Sequence, residues 1–265
     1  MTEELKIFVT GKGGVGKTTI SAVLALLFAQ RGYKVLAIDE DSQINLPFSL
    51  GIKDANKIIP LSQQFDYIEE KTGVRPGQGW GSMLCLNPDV SDVIEKFAIK
   101  ASNNVNILVM GTVKRTSNGC LCPEHTILNA VIRQICLRQD EVIIMDTQAG
   151  LEHFGRAIAK GFRYGIVVSE PSFNSIYVAK QAIRLAKDLN IPNIFIIVNK
   201  VRNDEIEKMH NLGFELTNSV KKVFFLPYDK HLIQYEPDLT VFINNDSLFM
   251  NTIKKVFEDI FSHPV

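Results

Sequence analysis

Nine residues near the start of the chain carry its densest chemistry: Gly11-Lys12-Gly13-Gly14-Val15-Gly16-Lys17-Thr18-Thr19. They fit the spacing G-x-x-x-x-G-K-[ST] between an apolar run and a helical pattern, the strand–loop–helix context in which that spacing holds phosphate. Gly13, Gly14 and Gly16 let the backbone wrap closely around an anion with its N–H groups turned inward. The helix that follows contributes the positive end of its dipole. Lys17 is therefore expected to bridge the β- and γ-phosphates of a nucleotide, and the Thr18 hydroxyl to hold Mg2+. Lys12 is a second lysine in the same loop. It either adds positive charge for the loop's own phosphates or reaches the nucleotide of a facing subunit.

A second constellation is Gly119-Cys120-Leu121-Cys122-Pro123, just before a helical pattern over Glu124–Arg138. Thiols at i and i+2 of an extended segment point to one side and can reach one ion. Thiolates are soft ligands suited to zinc, copper(I), iron–sulfur clusters or nickel. Two ligands leave a four-coordinate shell half filled, and a two-fold axis would supply the other two sulfurs. The competing reading is two unconnected cysteines at a helix start. His125 is either a further ligand or an exposed residue at a helix end. Cys85 and Cys136 sit in apolar contexts, MLCL and IRQICL, and read as buried packing.

These groups need a scaffold. Apolar runs at Lys6–Thr10, Lys34–Asp39, Asn106–Met110, Glu141–Asp146, Gly165–Ser169, Ile194–Asn199 and Val223–Leu226 alternate with helical patterns, the first at Lys17–Arg31. Continuously apolar strands are buried on both faces, which predicts a mostly parallel sheet flanked by helices in a doubly wound α/β fold. Such sheets bind ligands at the carboxyl ends of their strands. The chain has 265 residues, is 46% hydrophobic and 22% charged, and balances 29 basic against 29 acidic residues. This excludes a disordered or fibrous protein. Neutrality argues against a nucleic-acid partner, since phosphate neutralisation requires excess Lys and Arg. One domain over residues 1–265 is expected, with an irregular, glycine-rich elaboration at about 51–104.

No apolar run approaches the ~20 residues of a bilayer span. The first residues are acidic where a signal peptide is basic, so a cytoplasmic location is expected. Ser247–Ser262 has apolar residues at helical spacing but mixed charges. It reads as a helix docked on the core, without a membrane partner.

The spacing K-G-G-x-G-K-T-T resembles the deviant Walker A motif of the nitrogenase iron protein, MinD and partition ATPase superfamily of P-loop NTPases. The resemblance implies that Lys12 acts across a nucleotide-sandwich homodimer formed in the ATP-bound state. It implies that Asp39 helps organise the metal's water shell and that Asp41 positions and deprotonates the attacking water. A helix N-cap is the competing role for Asp41. Asp146-Thr147-Gln148-Ala149-Gly150 looks like the Walker B and switch II segment, with Asp146 acting on Mg2+ through water and Gly150 as a hinge. Gln148 stands where a glycine or acidic residue is expected. Asn199, followed by Lys200, matches the position that recognises the adenine edge, against an ordinary turn Asn. Pro227-Tyr228 matches a segment with backbone contacts to the base. Nucleotide contacts are thus expected at Gly13, Gly14, Val15, Gly16, Lys17, Thr18, Thr19, Asn199, Lys200 and Pro227, and catalytic roles at Lys12, Lys17, Asp41 and Asp146.

The segments GTVKR…GCLCPEHTILNAVI, DTQAGLEHFGRA, EPSFNSI and VNKVRN, with EEKTG…LNP at Glu69–Pro88, resemble the carbon monoxide dehydrogenase maturation ATPases. That resemblance implies ATP hydrolysis, nickel held at paired Cys120 and Cys122 (zinc competes for the same thiolates), and assistance in inserting nickel into carbon monoxide dehydrogenase. Two other readings compete. An iron–sulfur reductase similar to the nitrogenase iron protein needs a cysteine after the switch Asp, and the last cysteine here is Cys136. A MinD-like membrane or partition ATPase needs a basic amphipathic tail.

Overall fold

The computed structural model describes residues 5–77, 84–111, 123–135, 140–148, 161–202 and 220–261. Among these residues eight strands form one sheet: β1 (Leu5–Gly11), β2 (Lys34–Asp39), β3 (Ile99–Ser102), β4 (Val105–Val109), β5 (Glu141–Asp146), β6 (Tyr164–Ser169), β7 (Asn193–Val201) and β8 (Lys222–Pro227). Their order is β3-β4-β2-β5-β1-β6-β7-β8. All pairs are parallel except β3 with β4. The doubly wound α/β expectation holds, and the reason is visible along the strands. β6 is buried at every position, as only a strand covered on both faces can be.

Two apolar layers cover the sheet. On one face, α1 (Lys17–Gln30) and α7 (Leu248–Phe261) pack over Ile7, Val9, Ile144 and Val168. Phe28 of α1 meets Phe257 with ring centroids 4.6 Å apart, and Phe261 at 4.9 Å. The apolar stripe of α7, including Phe249, Ile253, Phe257 and Ile260, is buried against the core as its spacing predicts. On the other face, α3 (Phe65–Thr72), α5 (Pro123–Gln134) and α6 (Phe173–Asp188) pack over Phe8, Leu108, Met145 and Val167. Among the described residues, no helix is long and apolar enough to cross a membrane.

The described residues of the segment 51–104 include regular elements. Besides α3 it contains α4 (Val93–Phe97) and edge strand β3, and it is preceded by the short α2 (Leu46–Ser49). Leu61, Ile68, Val90 and Val93 are buried in the second layer, so this segment shields the β4 side of the sheet. Cys85 corrects an expectation: it is exposed, not core. Its neighbour Leu86 is 60% exposed, so this apolar stretch of sequence is at the surface where Cys85 and Leu86 lie.

Candidate functional site

The phosphate-binding loop joins β1 to α1 at the carboxyl edge of the sheet, where β1 lies between β5 and β6. Glycine is required there at two points. A side chain at Gly11 would collide with the Val168 carbonyl, and Gly16, the residue capping α1, has φ +97°. A Cβ at Gly16 would also lie 2.5 Å from Asn199 Nδ2. Lys17 is buried and folds back across the loop, donating from Nζ to the Lys12 carbonyl at 3.2 Å. Burial lowers its pKa, and the charges of Asp146 and Asp41 oppose that shift. Lys12 itself is half-buried.

Asp146 ends β5 beneath this loop. Thr18 Oγ1 donates to its Oδ2 at 2.6 Å, and Ser21 Oγ to its Oδ1 at 3.1 Å. Burial raises the Asp146 pKa to about 6, although the Thr18 hydrogen bond and the Lys17 charge pull it down. Ser21 was not singled out from the sequence. Its signal was available, because position i+3 from Thr18 shares a helix face. Thr147, next in the chain, is pinned to β1: its N–H and hydroxyl both donate to the Val9 carbonyl, at 3.1 and 3.0 Å.

The second-strand carboxylates divide. Asp39 is fully buried, and its two oxygens accept from the backbone N–H groups of Asp41 (3.0 Å) and Leu46 (3.2 Å). Desolvation first, then the Asp146 charge, hold its pKa well above the usual carboxylate range. In this structure Asp39 shapes the turn that presents Asp41. Glu40 is buried too, and desolvation with the Asp146 and Asp41 charges raises its pKa to about 8. Asp41 reaches the cleft. Its Oδ1 accepts from Gln43 N–H at 3.0 Å, a turn contact, while Asn45 occupies the N-cap of α2.

Asn199 and Lys200 end β7 against the loop. Asn199 Nδ2 donates to the Val15 carbonyl at 2.9 Å, and Lys200 Nζ to the Gly14 carbonyl at 2.5 Å. With Pro227 they line a cleft of about 750 Å³ shared by Gly13, Gly14, Gly16, Lys17, Thr18, Thr19, Asp41 and Gln148. The cleft extends to Tyr228, Leu232, Ile233 and Phe249, an apolar end that the sequence reading, apart from Tyr228, did not connect with the site. Val15, expected among the nucleotide contacts, is buried and does not line the cleft. Of the cysteine constellation, Cys120, Cys122, Cys136 and the hinge candidate Gly150 lie outside the described residues. His125 is exposed at the start of α5.

Among the described residues, no three His, Cys, Asp or Glu side chains gather into a metal cage. The donors beside the loop nevertheless suit Mg2+. Thr18, on the wall of the cleft, and Asp146, buried just behind it, offer hard oxygens beside one another, and Mg2+ characteristically takes one or two carboxylates and completes its shell with phosphate and water.

Comparison with known proteins places this geometry. The profile of the CobQ/CobB/MinD/ParA nucleotide-binding domain matches residues 6–238. An uncharacterised ATP-binding protein of Methanocaldococcus jannaschii is 40% identical over 261 residues, 97% of each chain. The carbon monoxide dehydrogenase accessory protein CooC of Rhodospirillum rubrum is 37% identical over 199 residues, 74% of each chain. Among solved structures, the septum site-determining protein MinD of Pyrococcus horikoshii, complexed with Mg-ADP, superposes with a TM-score of 0.67 at 23% identity, covering 98% of this chain and 96% of that one. At that identity it speaks for the fold.

Proposed function

From the premise that this chain belongs to the CobQ/CobB/MinD/ParA nucleotide-binding family, we propose that it is an ATP hydrolase whose ATP-bound homodimer binds nickel and assists nickel insertion into carbon monoxide dehydrogenase. One observation carries the hydrolase reading: Thr18, which lines the cleft with Lys17 and Asp41, donates at 2.6 Å to the buried Asp146 beneath the loop. Phosphoryl transfer asks a protein mainly to position its groups and stabilise charge. Lys17 neutralises the β- and γ-phosphates. Thr18 and Asp146 would hold Mg2+, which, when bound, neutralises charge developing on the phosphate oxygens. Asp41 orients a water on the γ-phosphorus and accepts its proton. The bond from that phosphorus to the β–γ bridging oxygen breaks, leaving ADP and phosphate. Lys12 serves the nucleotide of the facing subunit.

The nickel reading is supported by Cys-x-Cys at Cys120 and Cys122 and by 37% identity to CooC over 199 residues. Nickel is cargo here. Paired chains supply four thiolates, and loss of the γ-phosphate alters the dimer and with it the sulfur geometry. The same coupling makes nickel alter nucleotide affinity by an equal free energy. A nickel titration of nucleotide-free, ADP-bound and ATP-bound protein tests it. Affinity that depends on the nucleotide is expected, and equal affinity in all three states contradicts the coupling.

A further inference from the structure

We propose that Asn199 and Lys200 form a clamp that sets the shape of the phosphate-binding loop, so that they govern affinity for the phosphate chain as well as any contact with the base. The proposal rests on the nucleotide-binding reading of that loop. Adjacent residues of a regular strand point to opposite faces of the sheet. Here both side chains reach one loop, Asn199 through the Val15 carbonyl and Lys200 through the Gly14 carbonyl.

Two backbone features make this possible. Pairing of β7 with β8 shifts register between Val198, opposite Phe225, and Val201, opposite Pro227. The extra residue on β7 is a bulge, a device that re-aims side chains beside functional sites. Lys200 also sits at φ +60°, a left-handed conformation unfavourable for a long side chain. Glu170, just past β6, approaches Lys200 Nζ at 3.7 Å and steadies it from the other side.

The consequence follows from peptide planarity. In a trans peptide the carbonyl of one residue points opposite to the N–H of the next. Holding the Gly14 and Val15 carbonyls toward β7 therefore aims the N–H groups of Val15 and Gly16 the other way. A loop binds an anion only when such N–H groups converge on it and its carbonyls turn out. Gly16 is part of the device, since a Cβ there would lie 2.5 Å from Asn199 Nδ2.

A residue that reads only adenine cannot affect a ligand without a base. The test compares Mg-ATP with inorganic triphosphate by titration calorimetry on the full chain, wild type against Asn199→Ala, a change that leaves net charge unaltered. We expect affinity for both ligands to fall by about 10-fold, the scale of one lost buried hydrogen bond. Triphosphate affinity equal to wild type overturns the clamp. Lys200→Met supplies a second readout, independent of whether Asn199→Ala folds. Hydrogen exchange of the ligand-free segment 12–19 should quicken while β1 and β5 stay protected, and unchanged exchange there overturns the role of Lys200. If wild-type protein binds neither ligand, the nucleotide-binding reading itself falls and takes the clamp with it.

Discussion

The Thr18 hydroxyl and the Asp146 carboxylate, 128 residues apart in sequence, meet at 2.6 Å where the first turn of α1 crosses the end of β5. Their contact ties the phosphate-binding loop to the segment that begins at Thr147. The carboxylate is buried, and the hydroxyls of Thr18 and Ser21 are what keep it satisfied.

Replacing Thr18 by Ala removes one of those donors and leaves a buried acceptor short of a partner. Stability should fall by about 1–3 kcal/mol, and ATP hydrolysis should lose its response to Mg2+. Chemical denaturation and an ATPase assay against Mg2+ concentration check both. Lys17→Met should instead weaken nucleotide binding by roughly 10- to 100-fold, the range of a lost charge-assisted hydrogen bond, measured by calorimetry.

The buried acids make the nucleotide-free protein sensitive to pH. Burial raises Asp146 to about 6 and Glu40 to about 8. Unfolded carboxyls ionise near pH 4, so between about pH 5 and pH 8 the folded chain binds more protons than the unfolded one. Stability is then greatest at the acid end and is lost as pH rises through the folded values. Thermal melts in that window should show a falling midpoint. Glu40→Gln should flatten the fall between about pH 6 and pH 8, and a midpoint that rises with pH opposes this assignment.

Gly165 of β6 faces the ring of Phe8, and a Cβ there would lie 2.5 Å from Phe8 Cζ. Phe8 is buried and packs edge-on against Phe162 with centroids 5.9 Å apart, so the ring has little room to yield. Gly165→Ala should therefore cost about 1–3 kcal/mol of overpacking. Denaturant midpoints compared with wild type check it.

Lys12→Ala separates the two roles open to that lysine. If Lys12 serves the facing subunit, the variant keeps nucleotide affinity but no longer dimerises on adding ATP. If it serves its own phosphates, affinity falls first. Sedimentation velocity with and without ATP distinguishes the two.

The sheet was legible because its strands are continuously apolar, and a strand such as β5, EVIIMD, admits no other face pattern. The loop was legible because its glycines and lysine recur at fixed spacing beside that strand. Edge strand β3, IKAS, was not. It is half-exposed, carries no apolar run, and owes its place to a tight turn at Asn103-Asn104, where Asn104 has φ +62°. Cys85 was misread because an apolar neighbourhood in sequence is not burial in space. Asp39 and Asn199 were legible as polar ends of strands, but their partners were not. The hydrogen bond from Leu46 to Asp39 depends on the exact path of a local turn, and the one from Asn199 to Val15 joins segments that only the folded sheet brings together.

The proposed joint thiolate site of Cys120 and Cys122 is tested by measuring nickel content and particle mass together, with and without ATP. The account predicts one nickel for every two chains in the ATP-bound dimer, lost when Cys120 and Cys122 are both replaced by Ala while nucleotide binding persists. Nickel retained at that stoichiometry by the double variant, or bound with equal affinity by a monomer whatever nucleotide is present, contradicts it.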